Sequence, residues 1–306
     1  MPSVSVIIPT YRHRDYVRET LKSVFAQTFT DYEVIVVNDG SPDDTGEVLA
    51  PLVEAARIRY FEQSNQGQAV ARNRGLAAAR GEFLAFLDDD DLWPTDKLER
   101  QVRLLREHSG VVVAYGQVEI IGGGAQSRYP RLDAPSGEVF DSFVRAGWIR
   151  SPGQALIRRT ALERIGGFDP DIWGTDDWDL WLRLSRTGEF VYDPALALMY
   201  RSHEGNASRH FTRMHLNAMK VLRKHLGWTP RSSNLRQWMA CRAFVKRFVT
   251  NDGLQEVRRH ARAGNRLEAF QAWLQVIRIS PSLLARRAVL RELLWLGSAG
   301  YRRSRW

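Results

Sequence analysis

Apolar runs and helical periods alternate along the first part of the chain. Val4-Ser5-Val6-Ile7-Ile8-Pro9 reads as a buried strand stopped by proline. A helix is predicted from about Asp15 to Gln27, where Val17, Leu21, Val24 and Phe25 recur at helical spacing. Tyr32 to Val37 reads as a second strand, ending in Asn38-Asp39-Gly40-Ser41-Pro42-Asp43-Asp44, turn chemistry that leads into another helix. Ile58 to Phe61 is a third short strand, Gln68 to Arg80 a helix, and Phe83 to Leu87 a fourth strand. This alternation predicts a doubly wound parallel sheet, in which ligands bind at the carboxyl ends of the strands. Thr10 and Tyr11, Asp39, and Asp88 to Asp91 all follow strand ends.

Further on, a helix is predicted from about Pro94 to His108, then a strand pair, Val111 to Tyr115 and Gln117 to Ile121. Gly122-Gly123-Gly124 reads as a turn, Ala155 to Ile157 as a strand, and Gly166 to Pro170 as a turn. Trp178, Trp181, Leu182 and Leu184 give a helix an apolar face, with Asp176 and Asp177 at its start. From about Ser208 the pattern becomes helical amid many arginines. Ala261 to Ile279 and Pro281 to Leu296 read as a helical hairpin, before a basic, aromatic tail from Tyr301 to Trp306.

Composition narrows the picture. The 306 residues carry a net charge of +9, which suits an anionic partner such as a phosphorylated substrate or an acidic membrane surface. No recognisable nucleic-acid module interleaves aromatic and basic residues, so nucleic acid is not expected. Cys241 is the single cysteine, which excludes an intrachain disulfide and points to a reducing, cytoplasmic compartment. The start lacks a signal-peptide pattern, and no apolar stretch reaches the length of a membrane span.

The chemistry concentrates in two places. Asp88-Asp89-Asp90-Asp91 closes an apolar strand, and four adjacent carboxylates there need compensating positive charge. A solvated acidic turn is one reading; a hard divalent cation, Mg2+ or Mn2+, is another. An EF-hand loop fails, because Trp93 and Pro94 stand where the sharp turn needs glycine and continuing loop. In the second place, Asp176 and Asp177 fit either simple capping of a helix start or catalysis; one carboxylate suffices for the cap, which leaves the second free for other work. There is neither a Gly-x-Gly-x-x-Gly after the first strand nor a Gly-x-x-x-x-Gly-Lys.

With those residues in place, the chain resembles the inverting glycosyltransferases of family 2. The likeness covers about residues 3 to 205. It rests on Val6-Ile7-Ile8-Pro9-Thr10-Tyr11, Val36-Val37-Asn38-Asp39-Gly40-Ser41, Asn65-Gln66-Gly67 with Ala71-Arg72-Asn73, the aspartate strand, and Thr175-Asp176-Asp177-Trp178. It implies an α/β GT-A fold, a Rossmann-like mixed sheet flanked by helices, as a catalytic domain over 1–205. A helical region over 206–306 would meet the acceptor or a membrane surface.

The resemblance also implies roles. Pro9, Thr10, Tyr11, Asp39, Gly67, Arg72, Asp88 and Asp89 would form the nucleotide pocket. Asp90, with Asp88 and His203, would hold Mn2+ or Mg2+ against the diphosphate of a nucleotide-sugar donor. Asp177 would be the base, beside Asp176 where the family usually has glutamate. Trp148, Ser151, Gln154 and Trp173 would shape the site of a glycan or lipid-linked acceptor. A non-catalytic nucleotide-sugar or glycan binding protein is the alternative, and it would be expected to have lost Asp90 or Asp177.

Overall fold

The computed structural model describes residues 1–122, 127–128, 134–203, 205–207, 210–229, 231 and 233–281. The second half of the predicted hairpin beyond Pro281, the tail from Tyr301, and Gly123 and Gly124 lie outside the described residues. The chain divides into two compact units, Met1–His203 and Glu204–Trp306.

In the first unit, β1 (Val4–Thr10), α1 (Arg14–Phe25), β2 (Tyr32–Asn38), α2 (Thr45–Glu54), β3 (Arg59–Glu62), α3 (Gln68–Ala78) and β4 (Phe83–Phe86) alternate. Then come α4 (Lys97–Glu107), β5 (Val111–Ile121), β6 (Ser127–Arg128), α5 (Phe140–Arg145) and β7 (Ala155–Arg158). α6 (Arg159–Ile165), α7 (Asp176–Leu184) and β8 (Glu189–Arg201) complete it. The sheet runs β3-β2-β1-β4-β7-β5-β6, with β8 beside β5. β1 to β4 are mutually parallel where they pair, whereas β7 is antiparallel to both β4 and β5. The sheet is thus mixed, as the family resemblance implied.

Helices cover both faces of β1, which is why its sequence is almost continuously apolar. Val4, Val6 and Ile8 join a buried cluster with Val17, Leu21 and Val24 of α1 and Leu98, Val102 and Leu105 of α4. On the opposite side Gly75 of α3 lets the helix approach Ile7; a β-carbon there would lie 2.3 Å from the isoleucine methyl.

Three expectations change. β1 runs through Pro9 to Thr10, because β4 stops pairing at Ile7 and only β2 flanks the proline. The predicted strand pair is one long strand, β5, whose register slips around Gly116. Gly116 is there for close approach, not for a turn: a β-carbon would stand 2.8 Å from Ala197 and 2.9 Å from the Ala195 carbonyl on β8. The third change falls in the second unit, which holds α8 (Phe211–Leu226), α9 (Leu235–Arg262) and α10 (Arg266–Ile279). The helix predicted from Ala261 is broken at Gly264, which takes a left-handed φ of 80°. No helix among the described residues is long and apolar enough to cross a membrane.

One buried row fixes the loops that carry the chemistry. Trp93, Lys97 and Gln101 are spaced by four residues and donate to the carbonyls of Gly153 (2.8 Å), Ala155 (3.1 Å) and Gln154 (2.8 Å). Lys97 also lies over the Trp93 ring at 4.1 Å, and burial pushes its amine well below the ordinary lysine range. The Gln27 side chain holds the other flank, donating to the Pro94 carbonyl and accepting from the Leu98 amide.

Candidate active site

The parallel strands β1 to β4 end on one side, and the loops after β1, β2 and β4 carry the polar residues. The Thr10 carbonyl accepts the Asp39 amide (2.9 Å), which joins the first two loops. Asp39 is 4% exposed. Its carboxylate accepts from the Gln63 side chain (2.8 Å), the Gln66 amide (2.9 Å) and the Gly67 amide (2.8 Å). It therefore clamps the loop from β3 to α3, and Gly67 makes that loop possible with a φ of 91° at the start of α3.

The four aspartates diverge. The Asp88 carboxylate accepts from Gln68 (2.9 Å) and Arg72 (2.6 Å), and Ser151 Oγ lies 3.4 Å away. Asp89 turns back to β1, accepting the Tyr11 amide (3.2 Å) and pairing with His13 Nδ1 (2.8 Å). That hydrogen bond holds the His13 imidazole above its ordinary pKa. Asp90 meets His203 Nε2 at 2.7 Å. Asp91, fully buried, takes the Arg201 amide (2.9 Å) and Ser151 Oγ (3.2 Å). Burial first, and then repulsion from Asp90 and Asp88, push the Asp91 carboxyl well up.

Aromatic rings stand beside this cluster. His13, Tyr16 and His203 contact one another with centroids 5.1 to 5.6 Å apart. Arg201 donates to the Asp90 carbonyl (2.9 Å) and lies over Tyr16 at 4.8 Å. Thr20 Oγ1 lies 2.9 and 2.8 Å from the Asp89 and Asp91 carbonyls. His13, Tyr16 and Thr20 carry no signal in the sequence. Arg201 does, in Arg201-Ser202-His203, which follows an apolar strand and resembles a diphosphate-closing segment of the family.

Arg72 joins the two halves of the site. It is 2% exposed, with one terminal nitrogen on Asp88 (2.6 Å) and the other on Asp176 (2.8 Å). Both terminal nitrogens reach protein carboxylates, and Nε has no partner among the described residues. Asp176 and Asp177 open α7, as the apolar face of that helix predicted. Burial raises the Asp176 carboxyl, and Arg72 opposes the rise. Asp177 accepts the Trp178 amide at 2.7 Å. Burial, then the neighbouring Asp176, push its carboxyl up to about 8.

Of the acceptor candidates, Ser151 sits between Asp88 and Asp91, and its side chain caps the short turn Pro152–Gln154. Gln154 closes the same turn. It is 2% exposed, its amide donates to the Gly116 carbonyl (2.8 Å), and it accepts the Arg150 and Ser151 amides. Trp148 is half-buried, with its indole N–H on the Ser142 carbonyl (3.0 Å), and Trp173 is half-buried ahead of α7.

Among the described residues no group of three or more His, Cys, Asp or Glu is preassembled as a metal cage. The donors at the strand end nonetheless suit a hard cation. Mg2+ takes one or two carboxylates and leaves the rest of its shell to water and substrate phosphates. Asp90 and His203 converge at 2.7 Å, close to the roughly 3 Å between adjacent ligands expected around a cation with bonds of about 2.1 Å.

Comparison with known proteins gives this arrangement its family. The glycosyl transferase family 2 model matches residues 5–166. TuaG of Bacillus subtilis, whose name assigns it, provisionally, to teichuronic acid biosynthesis, is 44% identical over 195 residues, 62% of this chain and 75% of TuaG. An uncharacterized glycosyltransferase of Rickettsia typhi is 32% identical over 218 residues, 68% of this chain and 66% of that protein. Another, from Rickettsia felis, matches over only 35% of its own length, so the chain spans a part of some of its relatives. Among solved structures, residues 1–349 of S. aureus TarS align with a TM-score of 0.60 at 19% identity, over 92% of this chain and 91% of that one. The mannosyltransferase PcManGT of Pyrobaculum calidifontis, solved with GDP-Man and Mn2+, aligns at 0.62 and 20% identity, over 97% and 84%. These structural likenesses show the GT-A fold, and with the family match they settle the assignment: the chain belongs to glycosyl transferase family 2.

Proposed function

We propose that this protein transfers a sugar from a UDP-sugar to a hydroxyl of a glycan or lipid-linked acceptor, with inversion at the anomeric carbon, in the synthesis of a cell-surface polysaccharide. The observation that carries this reading is the Asp88–Arg72–Asp176 chain, which stands the base candidate Asp177 beside the strand-end carboxylates. Uridine is chosen because TarS has been solved with UDP-GlcNAc and with UDP. The polysaccharide assignment follows TuaG.

In this reading Asp39 holds the loop after β3 so that Thr10, Tyr11 and Gly67 wall the nucleotide pocket. Asp90, with Asp88 and His203, would hold Mn2+ or Mg2+, which supplies neutralisation of charge on the departing diphosphate. Asp177 takes the proton of the acceptor hydroxyl as that oxygen attacks the anomeric carbon from the face opposite the diphosphate. The carbon–oxygen bond to the diphosphate breaks as the new glycosidic bond forms, and one inversion results.

Thermal unfolding with UDP, GDP and dTDP, each with and without Mn2+, tests the donor site. UDP with Mn2+ at about a hundredfold over its Kd adds about 2.7 kcal/mol, which raises Tm by roughly 4 °C for a protein of this size. GDP or dTDP giving the larger rise would replace the base, and no rise with any of them would remove the reading.

A further inference from the structure

Arg72 is among the largest fully buried side chains. It sits on α3 next to Asn73, and the two neighbours grip the same distant segment. Asn73 makes a pair of 2.8 Å bonds to the backbone of Phe168, donating to its carbonyl and accepting its amide. Gly167 permits that grip: its φ is 81°, and a β-carbon would lie 2.6 Å from the Asn73 oxygen. Phe168 in turn lies under the Arg72 guanidinium at 5.0 Å and packs edge-on against Phe86 of β4. The segment that leads into α7 is thereby fastened to α3 twice, once through backbone and once through charge.

The charges define the consequence. Asp176 and Asp88 face Asp177 together with Arg72, so a single guanidinium offsets three carboxylates. A planar guanidinium serves two carboxylates with two separate edges; an ammonium is one point and cannot.

We propose that Arg72 is a positioning residue, a strut whose guanidinium joins the strand-end carboxylate Asp88 to the helix-start carboxylate Asp176 and so sets the place and the basicity of Asp177. This rests on the reading of Asp177 as the base.

The test is the pH dependence of kcat/KM in Arg72→Gln and Arg72→Lys. Removing the positive charge leaves Asp177 facing carboxylates alone, so the acid limb in Arg72→Gln moves up by about one pH unit or more. Arg72→Lys keeps the charge and loses the two-point hold. Its limb moves less, while kcat falls about tenfold or more through misplacement of the base. If Arg72→Gln does not fold, the same upward shift is read between Asp176→Asn and Arg72→Gln/Asp176→Asn, in which the stranded carboxylate is gone. A limb that stays in place overturns the strut, whatever happens to UDP affinity. A parallel titration of the Asp177 carboxyl by 13C NMR, without donor, keeps the two readings apart. Its midpoint moves up in Arg72→Gln even if the wild-type protein transfers no sugar, a result that would sink the proposed function and leave the strut standing. An unmoved midpoint overturns the strut alone.

Discussion

Asp177→Asn lowers transfer by about three orders of magnitude, the range a positioned general base supplies, and leaves UDP binding with Mn2+ intact. Asparagine preserves the shape and the acceptor for the Trp178 amide, so the loss isolates the proton-accepting step. In the wild-type protein the base works only when ionised. With its carboxyl pushed up to about 8, kcat/KM rises as pH climbs through that value and falls about tenfold per unit below it. Stability runs the other way. Between the ordinary carboxyl range and about 8, the folded protein keeps a proton at Asp177 that the unfolded chain has released. The folded state binds more protons there, so stability falls as pH rises across the window. Asp177→Asn removes that loss and is more stable than the wild type at pH 9. Inactivity without destabilisation, read by progress curves and thermal melts on the same preparations, separates lost chemistry from a damaged fold. Residual activity above a tenth of wild type would remove Asp177 as the base.

The second large effect belongs to Asp90. Asp90→Asn weakens UDP binding in Mn2+ by at least about tenfold, since replacing even the outer partners of a metal site costs 10–100-fold. Transfer falls with it. Without metal, calorimetry returns the same weak UDP affinity for both proteins. The asparagine still accepts from or donates to His203, so the 2.7 Å contact that orders the end of β8 survives in some form. Equal UDP affinity for wild type and variant in saturating Mn2+ would place the cation elsewhere.

Much of this site could be read in the sequence, for definite reasons. β1, β2 and β4 are covered on both faces, so their apolar runs are unbroken, and the polar residues after them fall where parallel strands end. Asp176 and Asp177 were legible because Trp178, Trp181 and Leu182 give α7 a buried side. What stayed hidden depends on distant partners. Gly116 looks like a turn until β8 lies against it, and nothing in the sequence pairs the Gln154 amide with the Gly116 carbonyl. The Arg72 motif gives no sign of Asp176, 104 residues away. The divergence of Asp88, Asp89, Asp90 and Asp91 onto four sets of partners is likewise a product of loops from β1, α3, β8 and the Ser151 turn.

The most direct measurement is a crystal structure with UDP and Mn2+, with anomalous data collected at the manganese edge. The predicted result is one manganese peak on the Asp90 carboxylate, bridged to both phosphates of UDP, with uracil in the pocket walled by Thr10, Tyr11 and Gly67. The Asp177 carboxylate would be free of the metal and face the terminal phosphate across a gap wide enough for one sugar ring. Manganese away from Asp90, or a diphosphate whose terminal phosphate points away from Asp177, would contradict the account.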